Sequence, residues 1–211
     1  LRIRWRGHAS FYIESHDVKI ITDPFPESLG YPLVWNQADI VTLSHNHWDH
    51  AAVDTVAGEP AVVKGTGEFK TGRVLIQGFA SYHDKKKGRE RGENTIYKIA
   101  VDDLNIVHLG DLGHVLPSSQ VKQYGSVDIL LVPVGGKFTI DAAEAFAVVQ
   151  SIKPKIAIPM HYQTPHLSFQ LGPVEEFTSR FERVVKVPFL DSDRQKLPQE
   201  PKIMVLDYLS Y

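Results

Sequence analysis

The sequence predicts an α/β (α+β) fold, with sheets at the centre and helices outside them. Two observations carry this. Short runs rich in β-branched and aromatic residues fill the first half of the chain, and strand-like runs then alternate with helical patterns. The length, 211 residues, suits one large domain spanning residues 1–211.

Phe11-Tyr12-Ile13, Val18 to Ile21, Ile40 to Leu43, Val74-Leu75-Ile76 and Thr95 to Val101 read as strands. Turn residues bound several of them: Ser15-His16-Asp17, Gly72, Gly78 and Asp102-Asp103. Further strands are expected at Leu104 to Leu109, Ile129 to Val132 and Ile156 to Ile158. Asp141 reads as an N-cap with Glu144 three residues on. The helix it opens, Ala142 to Ile152, places Ala145, Val148, Val149 and Ile152 on one stripe. Pro173-Val174-Glu175-Glu176 predicts another helix, with Phe177 and Phe181 at i, i+4. Arg183 and Lys186 would lie near its far end, where the macrodipole favours cations. Asp191 to Lys202 is polar, carries Pro198 and Pro201, and reads as a surface loop before a last strand, Ile203 to Leu206. No internal repeat or Pro/Gly/Ser-rich linker divides the chain.

Composition excludes several classes. With no cysteine, there is no disulfide framework, thiolate metal site or cysteine nucleophile. A net charge of -2 lacks the field that stable nucleic-acid binding needs. The longest uncharged stretch, Ile156 to Val174, contains Pro159, Pro165, Pro173 and His161 and is no membrane span. Leu1 to Trp5 do not read as a signal peptide. A cytoplasmic location is expected; the oligomeric state is not encoded in these features.

The informative segment is Ser44-His45-Asn46-His47-Trp48-Asp49-His50, directly after the apolar run Ile40-Val41-Thr42-Leu43. Four ligand-type side chains packed this closely would be costly to bury unpaired. A metal resolves the cost, since imidazole and carboxylate suit zinc, iron and manganese. In an extended turn His45 and His47 project to one side. Asp49 and His50 then fall on the tight turn that follows and can face a second metal.

With these residues the chain resembles the metallo-β-lactamase-fold metallohydrolases. It looks closest to the small single-domain branch of ascorbate-6-phosphate lactonase-like and N-acyl phosphatidylethanolamine phospholipase-like proteins. The resemblance covers nearly the whole chain and rests on five motifs in family order. These are Gly7-His8-Ala9-Ser10-Phe11 with Ile21-Thr22-Asp23-Pro24, the His45–His50 turn, Ala80-Ser81-Tyr82-His83-Asp84, Leu109-Gly110-Asp111, and Ile158-Pro159-Met160-His161-Tyr162. It implies a four-layer αββα sandwich with two adjacent metal sites. His45, His47 and His83 would hold the first ion and Asp49, His50 and His161 the second, with Asp111 bridging. Two divalent ions are expected, Zn2+ foremost, with Mn2+ or Fe2+ as alternatives. Ions roughly 3.5–4 Å apart generate hydroxide near neutral pH and clamp the attacking and leaving oxygens.

Around this set, Asp23 is placed to accept a ligand histidine's second ring N–H. His8 is a candidate neighbour of the site, while His108, inside a strand, reads as core or supporting. His114 and His166 lie on loops near Asp111 and His161 and are candidate proton donors; His16 reads as solvent-exposed. The charged run from Asp84 to Asn94 has an excess of cations and glycines at 88 and 92. Its Arg89 and Arg91 are candidates for binding a substrate oxyanion, or else belong to a solvated loop. Lys137, in Val134-Gly135-Gly136-Lys137-Phe138-Thr139, is a further candidate for anion contact.

The expected function is dinuclear, metal-dependent hydrolysis. A bridging hydroxide would attack an ester, lactone or phosphodiester of a small anionic substrate, and Asp49 and Asp111 would serve as catalytic carboxylates. A nuclease of the same fold, a non-catalytic metal-binding module and an iron-dependent oxidative enzyme are the competing readings. Substrate identity depends on loop shape, which spacing does not reveal.

Overall fold

The computed structural model describes residues 1–16, 18–34 and 36–208. Asp17, expected in the first turn, lies outside the described residues. In chain order the first strands are β1 (Arg2–Gly7), β2 (Ser10–Glu14), β3 (Lys19–Thr22), β4 (Ile40–Leu43), β5 (Ala61–Lys64), β6 (Gly67–Thr71) and β7 (Val74–Tyr82). They continue with β8 (Glu93–Val101), β9 (Leu104–His108), β10 (Ile129–Pro133), β11 (Ile156–Met160), β12 (Val184–Val187), β13 (Leu190–Asp191) and β14 (Lys202–Leu206). The α-helices are α1 (Ser118–Val121), α2 (Ala142–Ile152) and α3 (Glu175–Thr178). Among the described residues, no helix is long and apolar enough to cross a membrane.

Two mixed sheets result. One runs β13-β1-β2-β3-β4-β5 and the other β12-β14-β11-β10-β9-β8-β7-β6. In the first, β3, β4 and β5 are parallel and the remaining pairs antiparallel. In the second, β9 to β12 and β14 are parallel, while β6 to β9 form an antiparallel meander. The continuous apolar runs of β4, β10 and β11 are buried along their whole length, as parallel strands covered on both faces require. Ile3, Trp5, Phe11, Ile13 and Ile20 of the first sheet share one apolar core with Ile76, Ile99, Ile106, Leu131 and Ile158 of the second.

The Asp141–Glu144 capping box forms as expected: the Asp141 side chain accepts the Ala143 and Glu144 N–H groups and Glu144 reaches back to the Asp141 amide. Ala145, Val148, Val149 and Ile152 are the buried stripe. The helix expected after Pro173 is cut to α3. The β-branched Val184, Val185 and Val187 are drawn instead into β12, parallel to β14, so Lys186 sits on a strand rather than at a helix end. Phe177 is still buried, with the Phe181 ring tilted against it, centroids 4.9 Å apart. β1, β5, β6 and β13 were not foreseen; β6, GEFKT, is a polar edge strand with no fully buried residue.

Strand ends position the site. His8 follows β1, Asp23 follows β3, the His45–His50 turn follows β4, His83 follows β7, Asp111 lies just past β9, and His161 follows β11.

Candidate metal centre

Asp111 is the hub. Its Oδ2 lies 3.1 Å from His83 Nε2, 3.3 Å from both His50 Nε2 and His161 Nε2, and 4.0 Å from His45 Nε2. The carboxylate and these four imidazoles are buried. On one side, ligand atoms of His45, His47 and His83 lie within 4.8 Å of one another; His47 is the exposed member. On the other, those of His8, His50 and His161 do the same. Asp49 Oδ2 stands 3.8 Å from His50 Nε2 and 3.3 Å from His8 Nε2. The seven residues of the expected ligand set thus converge, and His8 joins them.

The supports behind the cluster are specific. Asp23 Oδ2 lies 3.1 Å from His50 Nδ1, and the same carboxylate accepts the Ser44 N–H at 2.7 Å and the Ser44 hydroxyl at 2.6 Å. Ser44 Oγ is in turn 2.9 Å from His45 Nδ1. Asn94 Oδ1 accepts the Asp111 N–H at 3.0 Å, and its amide donates to the Leu109 carbonyl and the Ser81 hydroxyl. His8, Asp23 and His161 all adopt positive φ, which L-residues hold only where the surroundings impose it.

Charge is sorted around His50. Burial opposes its protonation, but Asp111 and Asp23 carry its imidazole well above the ordinary value. Burial likewise opposes ionisation of Asp111, yet His161 and His50 hold its carboxyl well below the usual range. His45 and His8 are pushed down to about 3, chiefly by burial, and stay neutral. The neutral His45 beside the ionised Asp111 is in the form a cation takes, and a cation bound at His50 would displace that ring's proton.

His45 Nε2, His50 Nε2 and Asp111 Oδ1 are buried without a hydrogen-bond partner among the described residues. A buried polar group left so costs roughly 1–3 kcal/mol. Unsatisfied imidazole nitrogens beside a carboxylate are the donor set that zinc, manganese and iron accept. The residues present therefore fit metal.

Over residues 2–161 the sequence matches the model of the β-lactamase superfamily domain. A solved structure from Thermotoga maritima, assigned to the Zn-dependent hydrolases of the metallo-β-lactamase superfamily, shares 37% identity with a TM-score of 0.82. The alignment covers 97% of each chain. This chain belongs to the metallo-β-lactamase superfamily. Within it, the chain is 29% identical over 197 residues to a UPF0173 metal-dependent hydrolase of Pyrococcus horikoshii, covering 78% of this chain and 85% of that relative. A UPF0173 metal-dependent hydrolase of Carboxydothermus hydrogenoformans is 29% identical over 208 residues, covering 83% and 91%. These relatives are metal-dependent hydrolases, and they do not single out the lactonase-like or phospholipase-like branch.

On this superfamily scaffold the other candidate residues separate. Arg91 lines the cleft over the cluster, together with His47, His83, Asp111 and His161. Lys137 sits at the adjoining rim, its Nζ 5.2 Å from the Phe138 ring. Arg89 is exposed and does not line that cleft. His114 does not reach the cluster: its Nδ1 lies 3.1 Å from the Val115 carbonyl and its ring packs beside Tyr82. His166 packs instead between Tyr31 and Tyr208. His108 is buried at the end of β9, its Nε2 2.8 Å from the Ala9 carbonyl, and His16 is exposed. Sequence reasoning missed Ser44, Asn94, Trp48 and Phe169. Ser44 and Trp48 lie within the metal turn itself, whereas Asn94 and Phe169 carry no local signal.

Proposed function

We propose that the cluster holds two divalent ions, Zn2+ foremost, and hydrolyses an ester, lactone or phosphodiester of a small anionic substrate. The observation that carries this reading is Asp111 Oδ2, set among the Nε2 atoms of His45, His50, His83 and His161. His45, His47 and His83 would hold one ion, Asp49, His50 and His161 the other, with Asp111 shared. Mn2+ and Fe2+ accept the same donors. Bound there, the pair supplies a nucleophile from water near neutral pH and stabilises the charge that develops on the scissile group.

The chain's own groups do the rest. Asp23 holds the His50 ring by its Nδ1, and His8 stands 3.3 Å from Asp49 Oδ2, steadying that carboxylate. Arg91 and Lys137 supply positive charge at the cleft for the substrate's own anion. The resemblance of the motifs to those of lactonase-like and phospholipase-like proteins supports acyl or phosphoryl transfer to water.

Elemental mass spectrometry on protein purified without chelator or histidine tag tests the reading, followed by a screen of lactones, phosphodiesters and acyl esters. Close to two ions per chain with turnover of one class is expected. One ion per chain that added metal cannot raise, or full loading with no hydrolysis in any class, would sink it.

A further inference from the structure

The cleft above the cluster, about 390 Å3, has an aromatic side that metal chemistry does not need. Trp48 is 55% exposed, the most exposed of the three large apolar side chains open to solvent among the described residues. It lies between His47 and Asp49 and opens onto this cleft. Phe138 and Phe169 line the same space, packed edge to face with centroids 5.7 Å apart. Rings left facing water cost hydrophobic free energy that a ligand's apolar surface recovers.

Cations border the rings. The Arg91 guanidinium lies 5.2 Å from the Phe138 centroid and Lys137 Nζ lies at the same distance. Their neighbours in the loop are already committed: Lys85 pairs with Glu144 and Lys86 with Glu90, each at 2.6 Å. Glu90, which lines the cleft, is thereby paired. Neither Arg91 nor Lys137 has a carboxylate within ion-pair distance among the described residues. The backbone at Arg91 is also fixed from behind, its main-chain N–H donating to Asp84 Oδ2 at 2.8 Å.

We propose that the cleft selects an amphipathic anion: its apolar group lies against Trp48, Phe138 and Phe169, and its oxyanion faces Arg91 and Lys137. This rests on the hydrolase reading and adds a specificity to it. A purely polar anion such as a sugar phosphate would leave the three rings unused, and a neutral aryl ester would leave the cations unpaired. A cleft of this volume falls in the range of small-molecule sites, roughly 300–1,000 Å3.

The test is calorimetric titration of the metal-loaded protein with three probes: 3-phenylpropionate, propionate and 3-phenylpropanol. The first is expected to bind at least about tenfold more tightly than either of the others, since each lacks one half of the recognition. Trp48→Ala should erase the preference over propionate, Trp48→Phe should keep part of it, and Arg91→Ala should weaken both carboxylates while leaving 3-phenylpropanol unchanged. Three affinities within a factor of about two would overturn the proposal, as would a preference that survives Trp48→Ala and Arg91→Ala. Metal content of the same samples separates the two failures. A loaded protein indifferent to the ring overturns this inference alone, whereas a protein that takes up no metal overturns the hydrolase reading whatever the probes do.

Discussion

Asp84 and Arg91 are joined across the loop between β7 and β8 by a 2.8 Å hydrogen bond from the Arg91 N–H to Asp84 Oδ2. The same carboxylate accepts the N–H groups of Lys86, Gly88 and Glu90 at 2.7 to 3.0 Å. One side chain, next in sequence to His83, therefore folds the loop that carries Arg91 to the cleft.

This arrangement predicts a pH signature. Burial opposes ionisation of Asp84, but the N–H groups of Arg91, Glu90, Lys86 and Gly88 bring its carboxyl down to about 2, against an ordinary 3.8. A carboxyl depressed by folding contributes stability that is complete above its unfolded value and is lost as pH falls through the folded one. Asp84→Asn should therefore melt below the wild type at neutral pH, with the gap closing between about pH 4 and pH 2. Thermal melts of both proteins across that range check it. A gap unchanged at the acid end would mean that the carboxylate charge does not organise the loop.

Asp23 holds the His50 imidazole from the side opposite Asp111. Asp23→Ala should free the ring and leave Ser44 without its acceptor. Loss of such a supporting carboxylate weakens metal binding by about 10- to 100-fold. Competition with a chromophoric chelator reads this directly. Asp23→Asn, which can still accept one of these bonds, should fall between the two proteins. Wild-type affinity in Asp23→Ala would show that Ser44 and packing alone orient the ring.

Gly110 gives a stability prediction. It adopts φ +55°, and a Cβ there would lie 2.4 Å from Asn94 Oδ1 and 2.5 Å from Ser44 Cβ. Both neighbours hold the site, so relieving the clash moves either the Asp111 amide or the Ser44 network. Gly110→Ala should cost about 1–3 kcal/mol, lowering Tm by several degrees, and should loosen metal binding too. Calorimetry with a metal titration tests both; a loss of stability without loss of affinity would mean that the clash relaxes away from the cluster.

What could be read in advance follows from where the information lies along the chain. The His45–His50 turn is contiguous and follows a wholly apolar strand, so its placement at a strand end was legible. Asp111 and His161 follow β9 and β11 in the same way, each after a largely buried strand. The proximity of His8 and Asp49, 41 residues apart, was not legible, because it arises from packing between separate strand ends. The same holds for the aromatic wall, which assembles Trp48, Phe138 and Phe169 from three distant loops. The helix expected after Pro173 failed for a related reason. Its charge and proline pattern are local, whereas the pairing of Val184–Val187 with β14 is tertiary, and pairing prevails over weak propensity.

The split of ligands around Asp111 yields the last prediction. Its Oδ2 faces histidines of both groups, so removing it should disturb both, whereas His83 groups only with His45 and His47. Asp111→Ala should lower total metal content well below one ion per chain and abolish hydrolysis, because the four Nε2 atoms around it lose their common anionic partner. His83→Ala should retain close to one ion, held by Asp49, His50 and His161, with its activity reduced. Metal-to-protein ratios after dialysis against metal-free buffer distinguish the two. Equal losses in both variants would indicate a single cooperative site, in which neither ion binds without the other. An unchanged ratio in His83→Ala would remove His83 from the ligand set.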